Sequence, residues 1–278
     1  MVEPKDDVNS IFYWWPLIKD VAVPKPRTVL IEYMGNTLEA DSPEWRDFIL
    51  SVRAVTDSFG YPVFIRGGSM SAKHDWKDSC YLADPKMLLG QAHNILMCHL
   101  MAMGLRVDFT GIAVRELLQL ETAFTAFPGD MPISKEVRVF WKDGQYQCHH
   151  PYWPPSSIWK ASIDDWYPIL KELQTLQPWE IFIIKEKAAL VAEALDAGPL
   201  GYGYWSMDFC KTVDGMWYFT DLGTGNESYH WSTCPNASER MKQYPDPEDE
   251  EKIADNPGPT GRAEKIKAFK EAFQVEIQ

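Results

Sequence analysis

The chain has 278 residues, 45% of them hydrophobic, and its 40 acidic and 27 basic side chains give a formal net charge of −13 at pH 7. This length suits one large domain or two small ones, and the apolar fraction is too high for a disordered protein. The charge argues against generic nucleic-acid binding, which needs clustered Lys and Arg. It does not exclude a phosphorylated small molecule, because one local basic pocket or a metal ion is enough to hold such a ligand.

The cysteines and the apolar runs predict the compartment. Five Cys at scattered spacings, without a CxxC motif, indicate reduced and mostly structural thiols. The N-terminal residues lack the basic start and apolar stretch of a signal peptide, and no apolar run approaches the roughly 20 residues that span a bilayer. We therefore expect a soluble cytoplasmic protein without a membrane partner.

The first part of the chain alternates short apolar runs with helical patterns. The predicted elements are an irregular aromatic arm over 1–26, a strand over 28–33, a helix over 43–58, a strand over 61–66, a polar Gly/Ser loop over 67–74 and a helix over 84–103. Ser42 is a good N-cap, Pro43 suits the first helical position, and Gly60 is a terminator.

The second part predicts paired strands and further helices. The elements are a strand over 111–118, a hairpin of 135–141 with 146–151, a helix to about 176, a helix from 178 closed by Gly198, and a hairpin of 203–210 with 216–221. Asp143-Gly144 and Asp214-Gly215 are tight-turn signals, and Ser162 with Asp165 resembles a capping box. Strands that are separated by helices yet joined as hairpins predict an α+β fold with an antiparallel sheet in the second part.

The composition changes after Trp231. Residues 245–256 hold six acids and one base, which indicates a solvated linker, and an amphipathic helix is predicted over about 262–273. The predicted organisation is an N-terminal arm with a small α/β subdomain over 1–60, a core over 61–235, and an acidic linker with a C-terminal helix over 236–278.

The first chemical motif is the strand that ends at Arg66 and continues into a loop with Ser71 and Lys73. Backbone N–H groups and hydroxyls of such a loop can surround polyphosphate oxygens, while the two cations neutralise their charge. The Walker A pattern is absent. The alternative is a surface loop with ordinary charges.

Two further strands carry charged residues. Arg115 and Glu116 follow an apolar run, where buried charges need partners, and a structural salt bridge at a strand end is the alternative. Glu136 and Arg138 share one face of a strand because side chains alternate along it. Such a face suits the lining of a cleft, and it equally suits a sheet with one face in water.

Two acids on the last hairpin are the most informative motif. Asp208 and Asp221 lie on adjacent antiparallel strands, with Asn226 just beyond the second acid. Oxygen ligands of this kind suit Mg²⁺. The alternative is a pair of turn-associated Asp residues.

The histidines give no metal-ligand pattern. His149 and His150 are adjacent in a strand, so their rings face opposite sides and cannot easily chelate one ion. No HExxH or zinc-like spacing and no GxSxG nucleophile motif is present.

These four motifs, in this order over residues 61–231, resemble the ATP-grasp superfamily. The resemblance is to its compact divergent branch, which includes phage and bacterial ATP-grasp proteins and the eukaryotic cell-division-cycle ATP-grasp-like proteins that assist assembly of translation initiation factor 2. The individual motifs are short and degenerate, so their order and spacing carry the resemblance.

The resemblance implies a role for each matching residue. ATP phosphates would be contacted by Arg66, Ser71 and Lys73; the adenine hinge would be Arg115, Glu116, Leu117 and Leu118; the ribose would meet Glu121; Arg138, acting with Lys73, would face the γ-phosphate or the substrate carboxylate; and Mg²⁺ would be held by Asp208, Asp221 and Asn226. Many relatives place an Asn two residues after the second acid. That position is Gly223 here, so Asn226 is assigned the role and the metal count is open.

The implied function is an ATP- and Mg²⁺-dependent carboxylate–amine ligase that acts through an acylphosphate on an amino-acid or peptide-like substrate. The alternative is an ATP-binding assembly chaperone that ligates nothing and docks a protein partner through the aromatic arm or the acidic tail. A degenerate scaffold without a nucleotide site is a third interpretation.

Overall fold

The computed structural model of the chain describes residues 7–35, 39, 42–103, 109–199, 201 and 203–243. Its helices are α1 (Ile11–Ile18), α2 (Pro43–Phe59), α3 (Trp76–Ser79), α4 (Leu88–Met103), α5 (Trp166–Gln174), α6 (Pro178–Asp196) and α7 (Glu239–Lys242). Its strands are β1 (Thr28–Glu32), β2 (Val63–Gly67), β3 (Tyr81–Leu82), β4 (Gly111–Glu116), β5 (Thr122–Ala126), β6 (Met131–Ser134), β7 (Glu136–Lys142), β8 (Gln145–Pro151), β9 (Tyr204–Lys211) and β10 (Trp217–Thr224). None of the helices in these ranges is long and apolar enough to cross a membrane.

The smaller sheet has the strand order β1-β4-β2-β3. Strand β4 is antiparallel to both β1 and β2, so these two run in the same direction and α2 is the crossover between them. Trp45 and Val52 of α2 pack with Ile65 and Ile95 in a core between this sheet and its helices. The sheet therefore presents one face to its helices and leaves the other for the rest of the chain.

The larger sheet has the order β10-β9-β7-β8 and is antiparallel throughout. Both predicted hairpins form, and the α+β class with an antiparallel sheet in the second part is confirmed. Val137, Val139 and Phe209 face a core that they share with α6. The alternate residues of the central strands face the smaller sheet, and these carry the charged side chains.

The N-terminal segment corrects the prediction of an irregular arm. Residues 11–18 form α1, because Ile11, Trp14, Trp15 and Ile18 recur at helical spacing and are buried against the large core. The side chain of Ser10 caps the helix, and the backbone N–H of Ile11 donates to Gly68 O at 3.0 Å. The aromatic residues therefore stabilise the core, and the start of α1 supports the Gly/Ser loop.

Three further details differ from the sequence prediction. The hairpin of β5 and β6 was not predicted, and α5 begins without a side-chain cap, because the Ser162 hydroxyl accepts instead from the N–H of Thr125. The proposed boundary at residue 60 falls within the smaller sheet, since β1 precedes it while β2 and β4 follow, so this division stays a prediction. The acidic linker over 245–256 and the helix over 262–273 lie outside the described residues.

Candidate functional site

A cavity of ≈ 520 Å³ lies between the two sheets. Residues from β2, β4, β7, β9, β10 and the Gly/Ser loop line it, so both halves of the fold contribute. The sequence-predicted residues on its wall are Arg66, Ser71, Lys73, Arg115, Glu116, Leu117, Leu118, Asp208 and Asp221. The structure thus brings together nine of the predicted positions from five separate parts of the chain.

Arg66 and Asp221 connect the two sheets across the cleft. Arg66 is buried on β2, and its Nη1 lies 2.7 Å from Asp221 Oδ1 on β10. Burial alone would raise the pKa of the Asp221 carboxyl, but the charges of Arg66 and Arg115 outweigh it and lower that pKa. Asp221 is therefore an ionised, oxygen-donating group at neutral pH.

Arg138 and Asp208 form the second ion pair, within the larger sheet. They are direct cross-strand partners, and the guanidinium binds the carboxylate through two N–H···O contacts of 2.7 and 2.8 Å. Burial raises the pKa of Asp208, and the Arg138 charge opposes that shift. The Arg138 guanidinium also lies over the ring of Tyr152, at 4.7 Å from the centroid.

A bulge in β10 explains why both acids face the cleft. Phe219 pairs with Phe209, and the same register would place Asp221 opposite Met207, on the core face. The register shifts between Phe219 and Asp221, so Asp221 pairs with Asp208 and both carboxylates share one face. One extra residue in the strand therefore creates the acid pair.

Lys73 approaches the larger sheet from the loop that follows β2. It begins a 3₁₀ turn, Lys73–Asp75, after Ala72 in the left-handed backbone region. Its Nζ lies 3.6 Å from Glu136 Oε2 and 3.9 Å from the centroid of the Tyr152 ring. Burial would lower the pKa of Lys73, but the Tyr152 hydroxyl and the Glu136 carboxylate outweigh it and raise that pKa, so Lys73 is a permanent cation.

Arg115 is buried at the end of β4 and is only partly satisfied by the protein. Its Nη1 donates to the carbonyl of the bulged Thr220 at 2.6 Å, and its Nε donates to Thr28 Oγ1 at 3.1 Å. Its Nη2 is buried without a hydrogen-bond partner. Burial lowers the pKa of Arg115 to about 10, and the group stays charged at neutral pH.

Three predicted residues are not on the cavity wall. Arg138 lies behind Asp208 and reaches the cavity through that carboxylate. Glu121 is half exposed and pairs with Lys211, at 3.3 Å, although its neighbours line the cavity. Asn226 is exposed in the turn after β10, so the structure does not place it among the cavity residues and does not support it as a metal ligand.

Glu136 is the cavity residue to which the sequence prediction gave no role. It is buried, it pairs with Lys73, and its Oε1 accepts from the Ser134 hydroxyl at 2.7 Å and from Trp153 Nε1 at 3.2 Å. The signal was present, because Glu136 alternates with Arg138 on the face that turned out to line the cleft.

The charges of the cavity fit a nucleotide with a divalent metal. The buried or largely buried cations are Arg66, Lys73, Arg115 and Arg138, and the buried or half-buried acids are Glu136, Asp208 and Asp221, which gives 4 − 3 = +1 in a chain whose net charge is −13. The unpartnered Arg115 Nη2 is a donor available to an anion, and paired carboxylates are the ligand type of Mg²⁺. The volume is within the usual range for small-molecule sites.

A cleft of this charge between these two sheets defines a nucleotide-binding class of fold, and the comparisons with known proteins name its family. Residues 54–244 match a family described as an ATP-grasp domain, the third family of its clade. The match covers more than half of the chain, and the chain belongs to this ATP-grasp family. The search of curated proteins gives no match.

Solved structures of ATP-grasp proteins resemble the chain at low identity. N5-carboxyaminoimidazole ribonucleotide synthetase from Thermotoga maritima shares 14% identity over 78% of this chain and 41% of its own, with a TM-score of 0.39. D-alanine–D-alanine ligase from Bacillus anthracis, complexed with ATP, shares 11% identity over 80% of this chain and 56% of its own, with a TM-score of 0.40. The chain therefore spans about half of the length of these structures.

Proposed function

We propose that the protein is an ATP- and Mg²⁺-dependent carboxylate–amine ligase that acts on an amino-acid or peptide-like substrate. The observation that carries the proposal is the convergence of four cations and three acids on one cavity in a member of the ATP-grasp family. ATP supplies the phosphoryl group that activates a carboxylate as an acylphosphate, and Mg²⁺ offsets the phosphate charge. The protein's own task is to position these reactants and to neutralise their charge.

The residue roles follow from what each side chain already contacts. Arg66, Ser71 and Lys73 are the phosphate-binding groups, because they reach the cavity wall from one strand and the loop that follows it. Asp208 and Asp221 hold Mg²⁺, with Glu136 as the third acid beside them. The hinge residues 115–118 line the wall where backbone groups are available for the base.

Both acid–cation pairs must exchange partners when the ligand binds. Asp221 is held by Arg66 and Asp208 by Arg138, so neither carboxylate is idle without ligand. Phosphate oxygens satisfy the guanidinium groups as well as carboxylates do, and the metal satisfies the carboxylates. The ion pairs therefore keep buried charges satisfied until the nucleotide and the metal replace them.

Arg138 is assigned to the reacting end of the substrates. Its guanidinium is anchored by Asp208 and by the ring of Tyr152, and it is the next residue on the cleft face of β7 after Glu136, the partner of Lys73. A rigid guanidinium suits bidentate recognition of a phosphate or a carboxylate. We assign it to the γ-phosphate or to the substrate carboxylate.

Titration calorimetry with Mg-ATP tests the site directly. Asp221→Asn keeps the size of the side chain and removes its charge, and we expect Mg-ATP affinity to fall by roughly ten- to a hundredfold, as for the loss of one charge-assisted interaction. Asp143→Asn, in the exposed turn between β7 and β8, is the matched control and should bind as the wild type does. Equal affinity in both variants would refute the metal-site assignment.

Ligase activity requires a second measurement. ADP release should depend on an added carboxylate and an amine, and it should be lost in Lys73→Met. Binding of Mg-ATP without substrate-dependent ADP release would favour the alternative of a nucleotide-binding chaperone. The N-terminal segment no longer motivates that alternative, because Trp14 and Trp15 are buried in the protein's own core.

A further inference from the structure

A second group of ligand-type side chains lies outside the cavity. Cys148 and His150 come from β8, at the edge of the larger sheet, and His230 and Cys234 come from the segment after β10. One potential ligand atom of each residue lies within 4.8 Å of those of the other three. The chain thus brings two thiols and two imidazoles together from two distant parts of the sequence.

The distances match the geometry of a tetrahedral metal site. Zn²⁺ binds thiolate sulfur at about 2.3 Å and imidazole nitrogen at about 2.0 Å, so its ligand atoms lie about 3.3–3.8 Å apart. Cys148 Sγ is 3.2 Å from His230 Nε2, and the other separations need only small side-chain adjustments. An ion placed among the four atoms would therefore meet four ligands without rearrangement of the backbone.

The two imidazoles are oriented as metal ligands are. His230 is buried, and its Nδ1 donates to the carbonyl of Trp231 at 3.3 Å, which leaves Nε2 free to bind through its lone pair. His150 Nε2 is buried and has no hydrogen-bond partner. A buried nitrogen without a partner is costly, and a metal ion removes that cost.

Other contacts hold the two segments in place around the cluster. Trp231 stacks on His150 with an interplanar angle of 9°, and its Nε1 donates to Pro151 O at 3.1 Å. Asn236 Nδ2 donates to Gln147 O, also at 3.1 Å. The site is therefore built by packing and hydrogen bonds that do not include the four ligand atoms.

We propose that Cys148, His150, His230 and Cys234 form a structural Zn²⁺ site. Two thiolates with two imidazoles in a closed tetrahedron select Zn²⁺ over Mg²⁺, which requires oxygen ligands. Four protein ligands leave no open position for a substrate, so the ion joins the segment after β10 to β8. That segment includes Tyr229, whose carbonyl accepts from Arg138 Nη1 at 3.4 Å, so the metal site supports one wall of the candidate active site.

A disulfide between Cys148 and Cys234 is the rival use of these residues. It would satisfy both sulfur atoms, yet it would leave the buried His150 Nε2 without a partner. The zinc site accounts for all four residues, and the disulfide accounts for two. Intact mass under non-reducing conditions separates the two, because a disulfide lowers the mass by two hydrogens and a metal is lost on denaturation.

Metal analysis of the untagged full chain tests the proposal without any activity assay. We expect about one zinc ion per chain in the wild type, and we expect its loss in Cys148→Ser and His150→Asn. Cys98→Ser and His149→Asn are matched controls that should retain the metal, since Cys98 is in α4 and the ring of His149 faces Tyr146 on the opposite side of β8. Loss of zinc in the controls as well would overturn the assignment.

Cobalt replacement keeps the test valid if a ligand variant fails to fold. The wild type is stripped with a chelator and titrated with Co²⁺, and we expect thiolate-to-cobalt charge transfer with the visible bands of a tetrahedral site, abolished by one equivalent of Zn²⁺. Wild type that contains no metal and gives no such spectrum, or that carries the Cys148–Cys234 disulfide, refutes the proposal. A stoichiometric metal other than zinc refutes the identity of the ion.

Discussion

Two polar clusters occupy the same face of the larger sheet, and they handle buried polar atoms in opposite ways. In the cleft, Arg138 and Asp208 satisfy each other at 2.7 Å, as Arg66 and Asp221 do. In the Cys/His cluster, Cys148, His150, His230 and Cys234, the buried His150 Nε2 has no protein partner. Arg138 and His150 are direct cross-strand neighbours, so the two clusters adjoin.

The difference indicates what each cluster is for. Hard oxygen ligands that are already paired with cations suit a site where the nucleotide and Mg²⁺ come and go, because the ion pairs stabilise the empty state. Soft ligands with no partner suit an ion that stays bound, because the empty state is costly. The cleft is thus suited to exchange and the Cys/His cluster to permanent occupancy.

Breaking the Arg138–Asp208 pair should have the largest effect on stability. Arg138→Leu leaves a buried carboxylate without its cation, and we expect a loss of about 3–5 kcal/mol in the free energy of unfolding by urea. Adding Asp208→Asn should recover part of that loss, because the unpaired charge is removed. Arg53→Leu is the control: its partner Asp57 is exposed, and we expect a loss of less than about 1 kcal/mol. Equal losses in the two single variants would show that the cleft pair is not a buried ion pair in solution.

Metal ions should separate the two clusters in solution. If the Cys/His cluster holds zinc, free Zn²⁺ at a hundred times its dissociation constant stabilises the fold by about 2.7 kcal/mol, and chelation lowers the melting temperature accordingly. Mg²⁺ should not restore that temperature after chelation, and Zn²⁺ should. Mg²⁺ alone should instead restore the binding of ATP. One ion that restores both properties would mean that the clusters are not chemically distinct sites.

The cleft was predictable from the sequence because its residues belong to local patterns. The Asp214-Gly215 turn indicates the hairpin, and the hairpin brings Asp208 and Asp221 to neighbouring strands. The bulge that turns Asp221 toward the cleft was not predictable, since nothing in residues 217–224 marks an extra residue. Without it, Asp221 would face the core.

The Cys/His cluster could not be predicted, because its halves are joined only by the tertiary fold. Cys148 and His150 share a strand face, as strand alternation requires, but their partners lie beyond two helices and a hairpin. The prediction that His149 and His150 face opposite sides agrees with the structure, where His149 contacts Tyr146 and His150 contacts His230.

The error at α1 had a different origin. Ile11, Trp14, Trp15 and Ile18 recur at i, i+3, i+4 and i+7, which is a helical signal. Pro16 and the prolines that follow favoured an irregular segment instead. In the structure Pro16 lies inside the helix, and burial of the aromatic side chains stabilises it.

A third buried carboxylate provides the reference for a charge that needs no ligand. Glu180, at the start of α6, is buried and lies 3.0 Å from Lys211 Nζ and 3.4 Å from Lys135 Nζ. Its Oε2 also accepts from the N–H of Gln177 at 2.9 Å. Burial would raise the pKa of Glu180, but the Gln177 N–H and the two lysines outweigh it and lower that pKa.

Glu180→Gln should therefore have a small effect that depends on pH in one direction. Because the folded pKa lies below the unfolded value, the carboxylate stabilises the fold above the unfolded pKa, and that contribution is lost as the pH falls through the folded pKa. We expect the variant to lose about 1.5 kcal/mol at pH 7, with the difference from wild type vanishing in acid, as urea unfolding across pH would show. Glu193→Gln, exposed on the same helix, should show no such dependence. A difference that persists at acid pH would mean that Glu180 acts through packing, and that paired carboxylates in this fold, those of the cleft included, do not owe their stability to their charge.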